Sequence, residues 1–337
     1  MDNTFKSTLF AIILMILLPN LVSGQGKVIA SRFESNPIIK PSMLLGEDGG
    51  NINGPSLIKV PKWIKKPLGK YYLYFAHHAG KYIRLAYSNH LEGPWIIYEK
   101  GTLKMEDCKC NFKSPTLNKY KHIASPDVLI DSARKQIVMY FHCPVYTGGA
   151  DSIKNYPQVT LRSTSINGID FNAEEEILGD SYFRVFKWNS YYYAFARAGG
   201  LYRSRDGISN FEKGSNPFLK IQTPSMLRHL AVIVKENMLY VFYSRIGDIP
   251  ERILLSKILL TDDWNSWSPA EPVTILEPAF GFEGVNLSLA KSVEGLAKNP
   301  VRELRDPCIF QDNGKTYLLY SVSGEFGIAI AELKFDK

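Results

Sequence analysis

Two apolar segments of this chain open on a carboxylate beside a proline: Ser125-Pro126-Asp127-Val128 and Arg305-Asp306-Pro307. A carboxyl group at the start of a buried strand can serve as acid, base or orienting group, because burial and neighbouring charge set its proton affinity. A turn carboxylate paired with Arg305 is the structural alternative for Asp306. His229 follows Arg228 at the start of another apolar segment. An unperturbed imidazole titrates near pH 6.5, which suits proton transfer; a structural histidine would read the same way. Glu283 lies in Gly281-Phe282-Glu283-Gly284, a loop that could place its carboxylate over a pocket or leave it in solvent. Asp127, Asp306, His229 and Glu283 are therefore the candidate catalytic side chains.

Arginines form a second set. Arg245, Asp248, Glu251 and Arg252 crowd into eight residues, and Arg228 and Arg305 flank the candidates above. Such arginines could grip an anion bidentately, or pair with the acids beside them. His77, His78, His122 and His142 could converge to hold a structural divalent cation, although isolated histidines are more often structural. No motif requires a cofactor: the chain has no phosphate-binding glycine loop, dinucleotide fingerprint, zincin helix or serine elbow.

Five loose copies of one strand pattern must position these groups. Each has an apolar strand, a polar turn, an aromatic strand and a third strand ending near Ser. The copies run from Pro55, Pro126, Tyr182, Leu230 and Pro307. Their second strands, such as Tyr71 to Ala76 and Leu239 to Tyr243, are continuously apolar or aromatic, as in strands covered on both faces. Repeated four-stranded sheets predict an all-β five-bladed propeller. The fifth copy has three clear strands, so Val28 to Phe33 is expected to supply the fourth and close the ring. Only Glu174 to Leu178 reads as a short helix.

The first 24 residues read as a signal peptide: Lys6, then an apolar stretch from Leu9 to Leu18, then small residues before Gln25. That stretch is far shorter than the roughly 20 residues needed to cross a bilayer. The expectation is a secreted or periplasmic chain, free of the membrane after cleavage, with 25–337 as one domain. The net charge of +7 is spread without a polybasic block, which argues against nucleic acid and leaves an anionic glycan as one fit. Cys108 and Cys110 are too close in sequence to pair readily, and Cys143 and Cys308 could pair if the fold brings them together. The Asn286-Leu287-Ser288 sequon matters only in a glycosylating host. The sequence sets no oligomeric state.

The Ser-Pro-Asp-Val and Arg-Asp-Pro segments, Ser88 to Trp95, Ser204 to Phe211 and Asn313-Gly-Lys-Thr-Tyr317 together resemble the five-bladed glycoside hydrolase superfamily of families 43 and 117. The resemblance implies a carbohydrate substrate or ligand and acids lining a central tunnel. Asp127 matches the orienting acid of the second blade. Asn53 and Arg184 stand where the other two family 43 acids are expected, and with Arg228, Arg245, Arg305 and His142 they are read as substrate-binding. Family 117 is similar in using a histidine acid, a role that His229 could fill. The reading is a glycoside hydrolase acting on an extracellular glycan, with an anionic glycan as one fit to the charge. The alternatives are a non-catalytic glycan-binding propeller, with Trp63 or Trp188 as stacking platforms, and a phosphorylase-like propeller whose phosphate is held by Arg228, His229 and Arg245.

Overall fold

The computed structural model describes residues 27–108, 122–148, 156–219 and 226–336. The signal-peptide expectation for 1–24 lies outside these residues. The described chain is a five-bladed β-propeller. Blade I comprises Asn53–Lys59, Tyr71–Ala76, Arg84–Ser88 and Ile96–Tyr98, innermost strand first. Blade II comprises Ala124–Asp131, Gln136–Pro144 and Gln158–Ser165, with Asn172–Ala173 and Gly179–Asp180 sharing its outer edge. Blade III comprises Arg184–Trp188, Tyr191–Phe195, Leu201–Ser204 and Glu212–Lys213. Blade IV comprises Met226–Lys235, Met238–Ile246, Ile253–Leu259 and Val273–Leu276. Blade V comprises Arg305–Asp312, Lys315–Ser321 and Ile328–Phe335, and its outermost strand is Val28–Arg32 from the other end of the chain. Val28 lies opposite Phe335 and Arg32 opposite Ala331 in that antiparallel pair.

The aromatic second strands explain why blades stack rather than lie flat. Every residue of Tyr71–Ala76 is buried. Its faces feed different cores: Tyr72 and Tyr74 pack with Ile137, Met139 and Phe141 of blade II, whereas Leu73 and Phe75 pack with Leu319 and Ile330 of blade V. Further apolar clusters fill the junctions of blades II with III, III with IV, and IV with V. Each buried large apolar side chain contributes roughly 1.5–3 kcal/mol relative to exposure, so the five junctions hold the ring together.

Three local expectations differ from the structure. Glu174 to Leu178 forms no helix, and its end amides bond to blade II instead: Glu174 N donates to Arg162 O at 2.8 Å and Leu178 N to Thr160 O at 2.9 Å. Cys143 is disulfide-bonded, while Cys108 and Cys308 carry free thiols, so Cys143 and Cys308 do not pair. Trp188 is only 9% exposed and packs in the core against Trp267, so it offers no open stacking face, and Trp63 is partly buried against the junction of blades I and II.

Candidate functional site

The innermost strands of blades I, II, IV and V all begin with a bulge. In each, two residues face one on the neighbouring strand: Gly54-Pro55, Ser125-Pro126, Arg228-His229 and Asp306-Pro307. Proline lacks the N–H that a regular ladder position would need, and a bulge removes that demand. Gly54, Ser125 and Asp306 take left-handed backbone, with φ of 58°, 50° and 50°. For Ser125 and Asp306 this costs of order 1–3 kcal/mol, which the surrounding sheet must offset. The bulges set the register of the site. Gly54, Ser125 and Asp306 occupy equivalent places, and Asp127 is the first residue beyond its bulge.

Asp306 is fully buried and bonds through Oδ1 to Nδ1 of His229 in a short contact. Its Oδ2 accepts from Ser321 Oγ at 3.2 Å and from Gly54 N at 3.4 Å. Burial alone would raise this carboxyl, but His229, Arg228 and Arg305 outweigh it and hold Asp306 well below the usual carboxylate range. An ionised carboxylate only accepts, so Nδ1 donates and Nε2 is the ring nitrogen left for the pocket. Tyr182 stands edge-on to the His229 ring at 4.3 Å, and His142 edge-on to Tyr182 at 4.4 Å. Burial pushes the Tyr182 phenol up to about 12, so it stays protonated.

His229 lines a cavity of about 140 Å³ with His78, Gln158, Tyr182, Arg197, Arg228, Glu294 and Glu325, among others. All five blades or their connections contribute. Glu325 is buried beside it. Its Oε2 accepts from Asn51 Nδ2 at 2.5 Å and from Ala297 N at 3.3 Å; its Oε1 lies 3.5 Å from His78 Nδ1 and 3.3 Å from Arg305 Nη1. Burial would raise Glu325, yet His78, with a smaller contribution from Arg305, holds it below its ordinary value.

The two arginines flanking the dyad are already engaged. Arg228 makes a bidentate pair with buried Glu251, at 2.8 and 3.1 Å, and donates to the carbonyls of Val293 and Gly295. Arg305 is shared among Glu303 at 2.5 Å, Glu325 at 3.3 Å and Glu251 at 3.6 Å. Arg245 pairs with Asp248 at 3.2 Å. Of these three, Arg228 lines the pocket, with its charge matched by Glu251, while Arg245 is held by Asp248 outside the pocket lining and does not join it in a phosphate cradle there.

The remaining candidates lie elsewhere. Asp127 lines a separate axial cavity of about 80 Å³ with Ser56, Arg184 and Cys308. Its Oδ2 accepts from Val185 N at 2.8 Å, and burial raises its carboxyl despite Arg184 and that amide. Arg184 donates to Leu230 O and Pro126 O, both at 3.1 Å, and so ties blades II, III and IV at the axis. Asn53 donates to Asn51 Oδ1 at 3.0 Å beneath the Glu325 network. His142 is buried with Nδ1 unpartnered, and burial, followed by the nearby histidines, lowers its proton affinity well below the ordinary value. Glu283 does not reach the pocket: it is buried against Arg32 at 2.7 Å and Tyr320 Oη at 2.8 Å. Among the described residues, no group of three or more His, Cys, Asp or Glu side chains is arranged to hold a metal ion. Glu325, Arg197, Glu294 and Gln158 carry no motif that marks them as functional, since each sits in a turn, strand end or loop, and Tyr182, which opens the third copy, reads there only as a strand start.

The ring of five blades is a fold shared with solved structures of glycoside hydrolases. The chain superimposes on a family 43 β-xylosidase/α-arabinofuranosidase from a compost microbial metagenome with a TM-score of 0.56 at 14% identity, covering 91% of this chain and 95% of that one. A putative glycoside hydrolase from Bacteroides ovatus gives a TM-score of 0.58 at 12% identity, covering 90% and 95%. For the family 32 β-fructofuranosidase of Bombyx mori the TM-score is 0.54 at 13% identity; the match spans 85% of this chain and 60% of the enzyme. At these identities the likeness is one of fold. No protein-family model matches the chain. By sequence, the chain belongs to the same family as an uncharacterized protein of Acanthamoeba polyphaga mimivirus, with which it is 38% identical over 347 aligned positions covering 96% of each.

Proposed function

We propose that this protein is a glycoside hydrolase acting on an extracellular glycan, with His229 as its proton-transfer group. One observation carries the reading: the buried Asp306 carboxylate fixes Nδ1 of His229 and leaves Nε2 to a small polar pocket at the propeller axis. In this reading, protonated His229 donates to the departing glycosidic oxygen. Glu325, ionised beside it, stabilises the positive charge that develops on the sugar ring; a water molecule then adds at the anomeric carbon and gives its proton to His229 Nε2, which returns the imidazole to its starting state. The arginines around the pocket are already neutralised by carboxylates, which supports a neutral, hydroxyl-rich ligand over an anionic one. The signal-like N-terminus and the disulfide at Cys143 support an exported chain.

The experiment is turnover of fluorescently labelled neutral oligosaccharides. The first panel takes its sugars from structurally similar enzymes: xylotriose, β-1,3-galactotriose and sucrose. Cleavage by the wild type, reduced ~100-fold or more in His229→Gln, is the expected result. Cleavage unaffected by His229→Gln would sink the assignment. A second reading, glycan binding without turnover, is favoured by a specific observation. Among the described residues, the two buried carboxylates at the site are both engaged, Asp306 capped by His229 and Glu325 with a partner on each oxygen, whereas hydrolysis between two carboxyl groups needs one to donate a proton and the other to take one from water. Binding with no cleavage of any bound sugar selects that reading.

A further inference from the structure

The connection from blade IV to blade V, residues 277–304, is far longer than the roughly 12–15 residues beyond which an irregular loop usually has a function. Its middle is tied down beside the pocket. Ser292 N donates to Asp248 O at 3.0 Å, and Gly247 N donates to Ser292 Oγ at 2.9 Å. Arg228 donates to Val293 O at 2.5 Å and to Gly295 O at 3.2 Å, and Arg305 also donates to Gly295 O at 3.2 Å. Ala297 N completes the attachment at Glu325. The buried arginine cluster therefore fixes a strap whose Glu294 and Gly295 form part of the pocket lining.

From the other side comes Arg197, in the turn between the second and third strands of blade III. Its Nη2 pairs with Glu294 in a short contact, joining blade III to the strap across the width of blade IV. The two side chains remain 38% and 60% exposed, so the bridge stands at the pocket's rim and not in its floor. The cavity below it, about 140 Å³, is well under the roughly 300–1,000 Å³ of pockets that enclose a drug-sized ligand. It has room for one sugar ring rather than a run of them.

We infer that the Arg197–Glu294 bridge determines which part of a glycan enters. With the bridge closed, the pocket admits a terminal sugar end-on and excludes an internal residue whose chain must leave on both sides. This inference rests on the glycan reading above. The bridge also neutralises its own charges, so it discriminates by obstruction and not by attraction.

The test is calorimetric binding of xylotriose and β-1,3-galactotriose, each free and each carrying a benzyl ether at both ends. Wild type is expected to bind a free trisaccharide at least ~10-fold more tightly than its capped form, a gap of about 1.4 kcal/mol. In Arg197→Ala and Glu294→Ala the gap closes to within ~3-fold, through gained binding of the capped form. The exchanged pair Arg197→Glu/Glu294→Arg restores it. Equal binding of free and capped sugars by wild type overturns this inference and leaves the glycan reading standing. Discrimination that persists in both alanine variants does the same. If wild type binds neither trisaccharide nor any other sugar of the panel, the glycan reading falls and takes this one with it.

Discussion

At the scale of single residues, the two aspartates that look alike in sequence behave in opposite ways. Asp306 is an ionised group on which His229, Ser321 and Gly54 converge, and removing its charge orphans the imidazole. Asp127 is half-buried with its carboxyl pushed toward the neutral form by desolvation, and its Oδ2 accepts from the Val185 amide, a bond that an Asn oxygen could also accept. Asp306→Asn is expected to cost about 3–5 kcal/mol in urea unfolding at pH 7, the range for breaking a buried pair. Asp127→Asn should change stability by less than ~1 kcal/mol, because an amide replaces a carboxyl that burial already disfavours as an anion. The spacing of Ser-Pro-Asp and Arg-Asp-Pro hid this difference. A one-residue bulge shifts a strand's phase without altering its composition, so Ser125, not Asp127, is the partner of Asp306 in the repeat.

His142 gives the same scale a pH signature. Burial, with His122, His229, His78 and Arg184 nearby, lowers its folded-state proton affinity well below that of an ordinary imidazole. The unfolded chain therefore binds the proton first as pH falls, and stability is lost below about pH 6.5 with a slope of up to ~1.4 kcal/mol per unit from this group. His142→Phe keeps a ring against Tyr182 and His122 but cannot titrate. Melting temperatures between pH 7.5 and 5.5 should fall less steeply in this variant. An unchanged slope would assign the acid sensitivity to other groups.

At the scale of elements, the aromatic strands do more than fill the junctions. Tyr74 of blade I donates to Gly168 O of blade II at 2.7 Å, and Tyr140 of blade II donates to Gly207 O of blade III at 2.5 Å. Both glycines lie in matching turns, where Ser165 with Asn167 and Ser204 with Asp206 collect the turn amides. Both have positive φ, 76° and 69°, and a Cβ on Gly207 would sit 2.8 Å from the Tyr192 ring. At two junctions, I with II and II with III, one blade thus holds the next by an equivalent phenol hydrogen bond. Tyr74→Phe and Tyr140→Phe should each cost about 1 kcal/mol in chemical denaturation, and together about 2, since the sites are in separate junctions. The strands and turns themselves were legible in sequence, because continuous aromatic runs and Asn-Gly or Asp-Gly turns carry a local signal. The site was less so. Glu325 sits in a Ser-Gly-Glu-Phe-Gly turn that reads as solvent-exposed, and only the ring's closure brings it over Asn51 of blade I.

At the scale of the whole molecule, the chain's N-terminal strand and the strap over the pocket depend on each other. Arg32 ends the outermost strand of blade V, and its guanidinium donates to Glu283 at 2.7 and 3.1 Å and to Glu277 O at 2.7 Å. Glu283 has no exposed surface, and its other partners are Tyr320 Oη and the amides of Ala279 and Phe280. The pair therefore anchors the near end of residues 277–304, whose middle is held at Val293 and Gly295 by Arg228 and Arg305. Arg32→Ala leaves the Glu283 carboxylate buried without its cation, at a cost of about 3 kcal/mol, the low end for such a loss because three neutral donors remain. Arg32→Lys should recover only part, since an ammonium cannot reproduce the bidentate fork. The double variant Arg32→Leu/Glu283→Leu separates charge from packing. If the cost of Arg32→Ala is mainly the orphaned anion, removing both charges restores most of the lost melting temperature. If the double variant melts as low as Arg32→Ala, the contribution of Arg32 is instead the tie it makes between the terminal strand and the Glu277 carbonyl.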